Sequence, residues 1–533
     1  MKNRKRYRKP LYKRKMFLLN LVLAFFVMLG IGYSAINTDL GIFGSVTVSK
    51  YKLPVLKKTS SSDRTAFRSD TYRQKIKIVT LSDTINPPEN IIEEWDVGEA
   101  QNGNVMAYIT QNTDDNTMYD LYIQGKNGLY ANPDSSYLFY DLQGVDVING
   151  IDKLDTSNVT SMDSMFESTG YKSTVFILNL GDNFDTSKVT SMNSMFYATG
   201  YNSSVFTLDL GSKFDTSNVT NMRLMFLRTG YSSLMFTLDL GDKFDTSKVT
   251  TMEWMFLDSG YSSTVFMLYL GNKFDTSNVT DMSYMFSSTG YNSTVFTLDL
   301  GDKFDTSNVT NMSSMFNQTG YKSTVFTLDL EDKFDTSKVT NMSSMFNQIG
   351  YSSPVFTLNL GDKFDTSNVT IMSSMFHSTG FSNTQFTLDL GNKFNTSNVT
   401  NMSYMFASTG SSSTVFTLDL GNQFDTSNVT NMRGMFYETG YSSPAFTLDL
   451  GDKFDTGNVM DMSYMFARTG YGNSSFILDL STFDFSGVTD YDAIFNGIPN
   501  STTVYVKDAT ARDWIINNGG NSSLTTSNVL IKT

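Results

Sequence analysis

The chain of 533 residues has no cysteine and a single histidine, His377. Without cysteine there is no disulfide framework, no thiolate nucleophile and no cysteine to carry a lipid anchor. With one histidine there is no site that needs two. A glycine-rich loop that cradles phosphate is missing, as is any His/Cys spacing of the kind that holds metal. Near the C-terminus there is neither a sortase-type sorting motif nor an apolar anchor, so attachment to a surface is expected to rest on the N-terminus or on non-covalent contact. Aspartate is plentiful, but it recurs at the same two places along the chain. Acid–base hydrolysis needs two carboxylates placed in one cleft, whereas repetition distributes a group without building a unique pocket. The expectation is therefore no enzyme, no cofactor and no metal site. Net charge is −13, and nine Lys or Arg fall within the first fifteen residues. The rest carries 31 basic against 53 acidic residues, or −22. So acidic a body argues against a nucleic-acid partner.

What is present is one unit repeated. Aligning the Phe-Asp-Thr-Ser block gives Asp155, Asp185, Asp215, Asp245, Asp275, Asp305, Asp335, Asp365, Asn395, Asp425 and Asp455, a constant step of 30 residues. A fixed period of roughly 20–50 residues means stacked supersecondary units. Within a unit, Phe206-Thr-Leu-Asp-Leu210 alternates apolar and polar, the pattern of a half-buried strand. Val189, Met192, Met195 and Phe196 follow at offsets of three, three and one, which predicts one short amphipathic helix of about two turns. Thr190 stands where its N-cap belongs and Gly200 where a left-handed C-cap belongs. The reading is an α/β repeat solenoid, leucine-rich-repeat-like, with a parallel strand and a short helix in each rung. Its core is built of columns such as Leu208/Leu238/Leu268 and Met195/Met225/Met255, the methionines serving as adaptable core filler. The recurrent Asn158-Val-Thr sequon carries no message, because Lys takes the Asn position at 188, 248 and 338.

The expected organisation has five parts. Residues 1–37 join the basic run to the apolar stretch 16–36, giving a signal peptide or, uncleaved, a signal anchor with the solenoid outside. Residues 38–75 are a Ser-rich linker. Residues 76–150, with alternating runs at Val105–Thr110 and Leu121–Gln124, form a β-rich N-terminal cap that covers the first rung's apolar end and unpaired edge. About twelve rungs fill 151–497. Residues 498–533 close the array, with strands at 503–506 and 528–531 around a helix near 509–516.

The block Phe304-Asp-Thr-Ser-Asn-Val-Thr-Asn-Met-Ser-Ser-Met-Phe316 resembles the repeats of BspA-like leucine-rich-repeat surface proteins, also seen in mycoplasma-type surface lipoproteins. The likeness covers about Trp95 to the end. The family's commoner repeat is shorter and often places Cys after Met-Phe. Here Thr-Gly-Tyr follows, on a longer arm. The export segment Gly32-Tyr-Ser-Ala-Ile-Asn-Thr-Asp-Leu40 likewise resembles those of Firmicutes surface proteins. The resemblance implies a bacterial cell-surface protein, Gram-positive or mycoplasma-type, that binds host or neighbouring-cell molecules, and it brings no catalytic residues.

Three surfaces are candidates for a partner, which would be an extracellular protein or glycan. The strand face carries an Asp column, Asp209/Asp239/Asp299/Asp329, interrupted by Tyr269 and Asn359; it reads as a solvated acidic face partly offset by Lys213 and Lys243. A Tyr column, with Tyr201, Tyr231 and Tyr261 at its centre, could stack on sugar rings or anchor a protein, or simply pack along the solenoid corner. Ser411 replaces Tyr in one rung, so the column is not deep core. The third is where the repeats stop agreeing. Most rungs carry Ser there, but Arg223, Leu224, Leu227, Arg228, Trp254, Leu257 and Tyr284 cluster in three adjacent rungs. Exposed apolar residues flanked by Arg are what interface hot spots are made of, though drift among duplicated repeats would also produce them. Adhesion through this patch competes with two other readings, a passive spacer whose rungs are interchangeable and a glycan-binding module built on the Tyr column.

Overall fold

The phenylalanines and leucines of each rung face inward from a short strand and set the architecture. In the computed structural model, which describes residues 52–62, 72–301, 303–330, 334–391 and 393–532, the chain divides into Met1–Leu53 and Pro54–Thr533. The expected signal segment lies outside the described residues. No helix among the described residues is long and apolar enough to cross a membrane.

The N-terminal part holds strands β1 (Ile76–Ser82), β2 (Ile91–Asp96), β3 (Val105–Gln111), β4 (Tyr119–Gly125), β5 (Leu129–Tyr130), β6 (Val147–Asn149) and β7 (Leu154–Asp155). The rungs contribute β8 (Val175–Asn179), β9 (Val205–Asp209), β10 (Met235–Asp239), β11 (Val265–Tyr269), β12 (Val295–Asp299), β13 (Val325–Asp329), β14 (Val355–Asn359), β15 (Gln385–Leu388), β16 (Val415–Asp419), β17 (Ala445–Asp449) and β18 (Ile477–Leu480). A 12-stranded sheet runs β14-β13-β12-β11-β10-β9-β8-β6-β1-β4-β3-β2, so the cap and the first seven of these rung strands share one sheet. Strands β15-β16-β17 form a second sheet. Pairing is parallel in strict 30-residue register, Phe236 opposite Phe266 and Leu238 opposite Leu268. In most rungs the alternation buries the Phe and the first Leu and turns the Val, Thr and Asp outward.

The expected helix does not form. The chain is a β-solenoid of about twelve turns with little helix. Where the 3–3–1 spacing suggested helix, each rung makes a run of turns whose amide bonds alternate. Met195, Tyr197 and Thr199 donate within the rung to the carbonyls of Met192, Ser194 and Phe196 at 3.2, 3.0 and 3.1 Å. Ser194, Phe196 and Ala198 donate across to Arg223, Met225 and Leu227 of the next rung at 3.0, 2.9 and 2.8 Å. Ser194 and Ala198 take φ of +57° and +52°, incompatible with an α-helix. Three-residue steps between inward side chains therefore arise from successive three-residue turns. Thr190 is correspondingly no N-cap: its N–H and its Oγ1 both reach the Thr160 carbonyl, at 2.9 and 3.2 Å. Gly200 is left-handed, but inside this turn run.

The Asp-Thr-Ser-Asn block is explained by the stacking. Asp215 Oδ1 accepts the Ser217 N–H at 2.9 Å, closing the corner. Thr216, with no solvent exposure, donates from Oγ1 to the Asp245 carbonyl of the next rung at 2.8 Å. Asn218 Nδ2 donates back to the Ser187 carbonyl at 2.7 Å. A second buried threonine, Thr229, donates to the Phe196 carbonyl at 2.7 Å. Both of these threonine hydroxyls are thus satisfied by a neighbouring rung, as a buried polar group requires. Around these staples stand three phenylalanine columns. Rings Phe196, Phe226 and Phe256 stack at 5.4 and 5.5 Å, and the Phe206 and Phe214 columns repeat the pattern. Fully burying each ring contributes roughly 1.5–3 kcal/mol.

The linker expected over 38–75 is corrected where the chain is described. Leu56 is buried, its N–H donates to the Tyr130 carbonyl at 2.8 Å, and Lys57 N–H donates to Val97 at 3.0 Å. Thr59 Oγ1 reaches the Ser136 carbonyl at 2.6 Å and the buried Arg73 pairs with Asp141 at 2.9 Å. These residues belong to the cap, because an apolar Leu and a satisfied backbone lower its free energy more than solvent would. At the other end, β19 (Thr503–Val506) and β20 (Val529–Ile531) extend β18 in parallel, with helix α1 (Ala509–Asn518) between them. Asp508 caps α1 through the Ala511 N–H at 2.8 Å, and Trp514 stacks on Phe485 at 4.3 Å.

Candidate functional site

In most rungs, two backbone positions of the turn run are left-handed; small residues there, such as Ser194 and Ala198, are buried, while the larger Leu224 and Trp254 are half-buried and Tyr284 is exposed. One column runs Ser164, Ser194, Leu224, Trp254, Tyr284, Ser314; the other Ser168, Ala198, Arg228, Asp258, Ser288, Gln318. The residues singled out by their departure from the repeat fall on these two columns and on the positions beside them.

The structure brings Leu224, Leu227, Arg228, Trp254 and Leu257 together with Ser194, Tyr197 and Glu167 around one groove of about 460 Å³. Tyr284 meets Trp254 edge-on at 6.2 Å between ring centres, extending the patch. Arg223 lies over the Trp254 ring at 4.5 Å and pairs with Glu253 at 2.8 Å. Arg228 pairs with Asp258 at 3.0 Å. Both ion pairs bridge adjacent rungs. Burial pushes the Asp258 carboxyl up, and the Arg228 guanidinium pulls against it. Burial also raises the Glu167 carboxyl, opposed by a hydrogen bond from Ser164, while Asp141 adds to the rise. Glu253, Glu167 and Tyr197 carry no signal in one sequence: each sits where neighbouring repeats also vary, and only the stacking shows which of them share the groove.

The tyrosine column is continuous from Tyr171 to Phe381. Tyr201, Tyr231 and Tyr261 stack nearly parallel at 4.4 and 4.7 Å, and Tyr351 stacks on Phe381 at 4.3 Å. The ring faces between those ends cover each other, so the column presents edges and hydroxyls, not faces, to a sugar. Ser411 interrupts it as a buried residue whose Oγ donates to the Glu438 carbonyl at 2.6 Å. His377, the single histidine, lies in the turn run of its rung. It is half-buried, its Nδ1 3.1 Å from Asn347 Oδ1, and burial lowers its basicity. The Asp column on the strand face is exposed, and Asp209 and Asp239 accept the N–H of the glycine two residues on. Among the described residues no group of three acidic, His or Cys side chains is placed to hold a metal ion.

A second cluster escaped the sequence reading. Tyr404 and Tyr464 occupy the same left-handed column as Trp254. Arg433 donates to the Tyr404 hydroxyl at 3.2 Å and lies over Tyr464 at 5.3 Å. The available signal was the pair of Tyr residues in a column otherwise mostly Ser.

A family model described as "Mycoplasma protein of unknown function, DUF285" matches residues 134–266, 231–351, 266–379, 321–439, 351–470 and 412–512. The chain belongs to this family. The DUF285 matches overlap along the repeat array and extend into both ends of it, from the rung-facing part of the cap to α1. Among curated proteins none matches. Among solved structures, the crystal structure of a TLR13–ssRNA13 complex is similar at 11% identity over 76% of this chain and 74% of that one, with a TM-score of 0.15. At that score the likeness carries no argument for this chain.

Proposed function

We propose that this chain is an exported, non-catalytic surface protein, BspA-like in its repeats, whose solenoid is a scaffold and whose groove at Leu224, Leu227, Trp254 and Leu257 contacts an extracellular protein of a host or neighbouring cell. The observation that carries this reading is the groove itself. Ser is the commonest residue of the left-handed column; here Leu, Trp and Tyr follow in three consecutive rungs, and Leu224 and Trp254 join Leu227 and Leu257 around a groove of about 460 Å³ beside the ion pairs. Duplication with drift would scatter such residues, whereas an interface concentrates them. The basic run and the apolar stretch 16–36 support export, with membrane contact confined to that stretch if it is uncleaved.

The passive spacer remains the competing reading, and the experiment separates the two. The full chain is tested for binding to a panel of matrix proteins and glycans beside a Trp254→Ser/Leu257→Ser double variant. Binding to a protein that the double variant loses, with unchanged thermal unfolding, is the expected result. Equal binding by both chains removes the groove from the function. Binding by neither supports the spacer.

A further inference from the structure

The charges of the groove do not balance. Arg223 is matched by Glu253 at 2.8 Å, Arg228 by Asp258 at 3.0 Å, and Asp141 by Arg73 at 2.9 Å. Glu167 lines the groove, is half-buried, and pairs with no cation among the described residues. Its hydrogen-bond partner is Ser164, and the charge that acts on it is the like-signed Asp141. A desolvated carboxylate without a counter-charge is costly. A neutral apolar occupant would deepen that cost, and an acidic one would add repulsion.

We propose that the groove takes a short peptide segment of the protein partner, in which an apolar side chain seats among Leu224, Leu227, Trp254 and Leu257 while an adjacent Lys or Arg meets Glu167. The inference rests on the reading of the groove as a contact surface and adds the chemistry of what fills it. A volume of about 460 Å³ suits a few side chains of a peptide segment. The stem of Lys or Arg lies along apolar walls while its head reaches the charge. The cation then supplies what every other ionised group of the groove already has, a partner of opposite sign.

The test uses the full chain and three labelled peptides, identical except at one position. Each has two leucines flanked by Gly and Ser, with Lys, Gln or Glu beside the leucines, and binding is followed by fluorescence anisotropy. The Lys peptide is expected to bind roughly tenfold tighter than the Gln peptide, and the Glu peptide weakest. In Glu167→Gln the Lys and Gln peptides should bind alike, with the Gln peptide no weaker than on the unaltered chain. Trp254→Ser should weaken all three. Equal binding of the Lys and Gln peptides to the unaltered chain, still weakened by Trp254→Ser, overturns the charge inference and leaves the contact surface standing. No binding, or binding indifferent to Trp254→Ser, overturns both.

Discussion

Replacing Gly230 by Ala should destabilise the solenoid far more than the gain of one methyl group suggests. Gly230 has φ +58°, and a Cβ there would lie 2.7, 2.9 and 3.0 Å from Cδ1, Cε1 and Cγ of Phe236. Two costs add. Alanine in the left-handed region costs roughly 1–2 kcal/mol, and forcing a packed core ring to move costs roughly 1–3 kcal/mol more. The total is about 2–5 kcal/mol. Ser344 supplies the control: its φ is +56°, so the backbone strain is already present, but its side chain faces outward. Ser344→Ala should change stability by no more than about 0.5 kcal/mol. Long repeat arrays need not unfold in one step. The assay is therefore native-state hydrogen exchange of local amides, including Gly230 N–H on the Thr199 carbonyl and Gly260 N–H on the Thr229 carbonyl, beside urea unfolding of the whole chain. If the two variants exchange alike at these amides, the ring contact is not what holds glycine at this place in the rungs, and the explanation fails.

Thr229→Val removes a buried hydroxyl bond to the Phe196 carbonyl, which keeps only the Thr199 N–H as donor; a loss of about 1 kcal/mol is expected in urea unfolding. Thr229→Ser should be much milder, because Ser259 makes the same bond to Phe226 in the next rung. The tyrosine column should make the fold sensitive to alkali. Burial first, and the neighbouring Tyr291 and Asp258 next, push the Tyr261 hydroxyl up to about 12 from its usual 10. The unfolded chain ionises first, so stability present below pH about 10 is lost progressively as pH rises toward about 12. Ultraviolet titration of tyrosinate, with unfolding followed in parallel, checks this: ionisation of the whole column near pH 10 without loss of fold refutes it. Finally, Trp254→Ser should leave thermal unfolding within a few degrees of the unaltered chain, since Trp254 is only half-buried and its ring contacts are with Arg223 and Tyr284; a large drop would mark it as structural.

The strand of each rung was legible because its signal is local. Phe206, Leu208 and Leu210 alternate with Thr207 and Asp209, and two-residue periodicity has few other meanings. The 30-residue step and the core columns followed from counting. The helix was misread because Val189, Met192, Met195 and Phe196 report only where side chains point. Three-residue turns and a short helical stretch place them on the same inward side. What separates the two is the destination of the amides, and half of those go to another rung, which no window within one repeat contains. The buried Thr216 and Thr229 were missed for the same reason: each looks like a loop hydroxyl until the carbonyl it serves, 29 residues on or 33 residues back, is stacked against it. Leu56 was assigned to a linker because its neighbourhood is Ser- and Lys-rich, although Tyr130, whose carbonyl takes its N–H, lies more than seventy residues later. The patch at Leu224, Trp254 and Tyr284 was legible as a departure from a repeat. Its carboxylates Glu167 and Glu253 were not, because a difference shows that a residue is unusual and not what it faces.

The left-handed columns explain why recognition can be written on this scaffold at small cost. Each non-glycine residue in that conformation carries a strain of roughly 1 kcal/mol or more. The strain recurs in rung after rung whichever side chain is present, from Ser194 to Leu224, Trp254 and Tyr284. It is offset by the cross-rung amide bonds of the same turns, such as Ser194 to Arg223, Phe196 to Met225 and Ala198 to Leu227, each contributing about 0.5–1.5 kcal/mol net. Those bonds involve only backbone. The side chain at such a position therefore changes neither the strain nor what offsets it, and residues as large as Trp254 and as small as Ala198 are accommodated. At Gly230 the same backbone conformation points toward Phe236, and there the residue is fixed. One conformation thus yields a position closed to variation and positions open to it, according to the face it turns to the core. Ser, Gln, Arg, Asp and Glu all occupy these columns, and Leu224, Trp254 and Tyr284 are three more side chains the same backbone accepts.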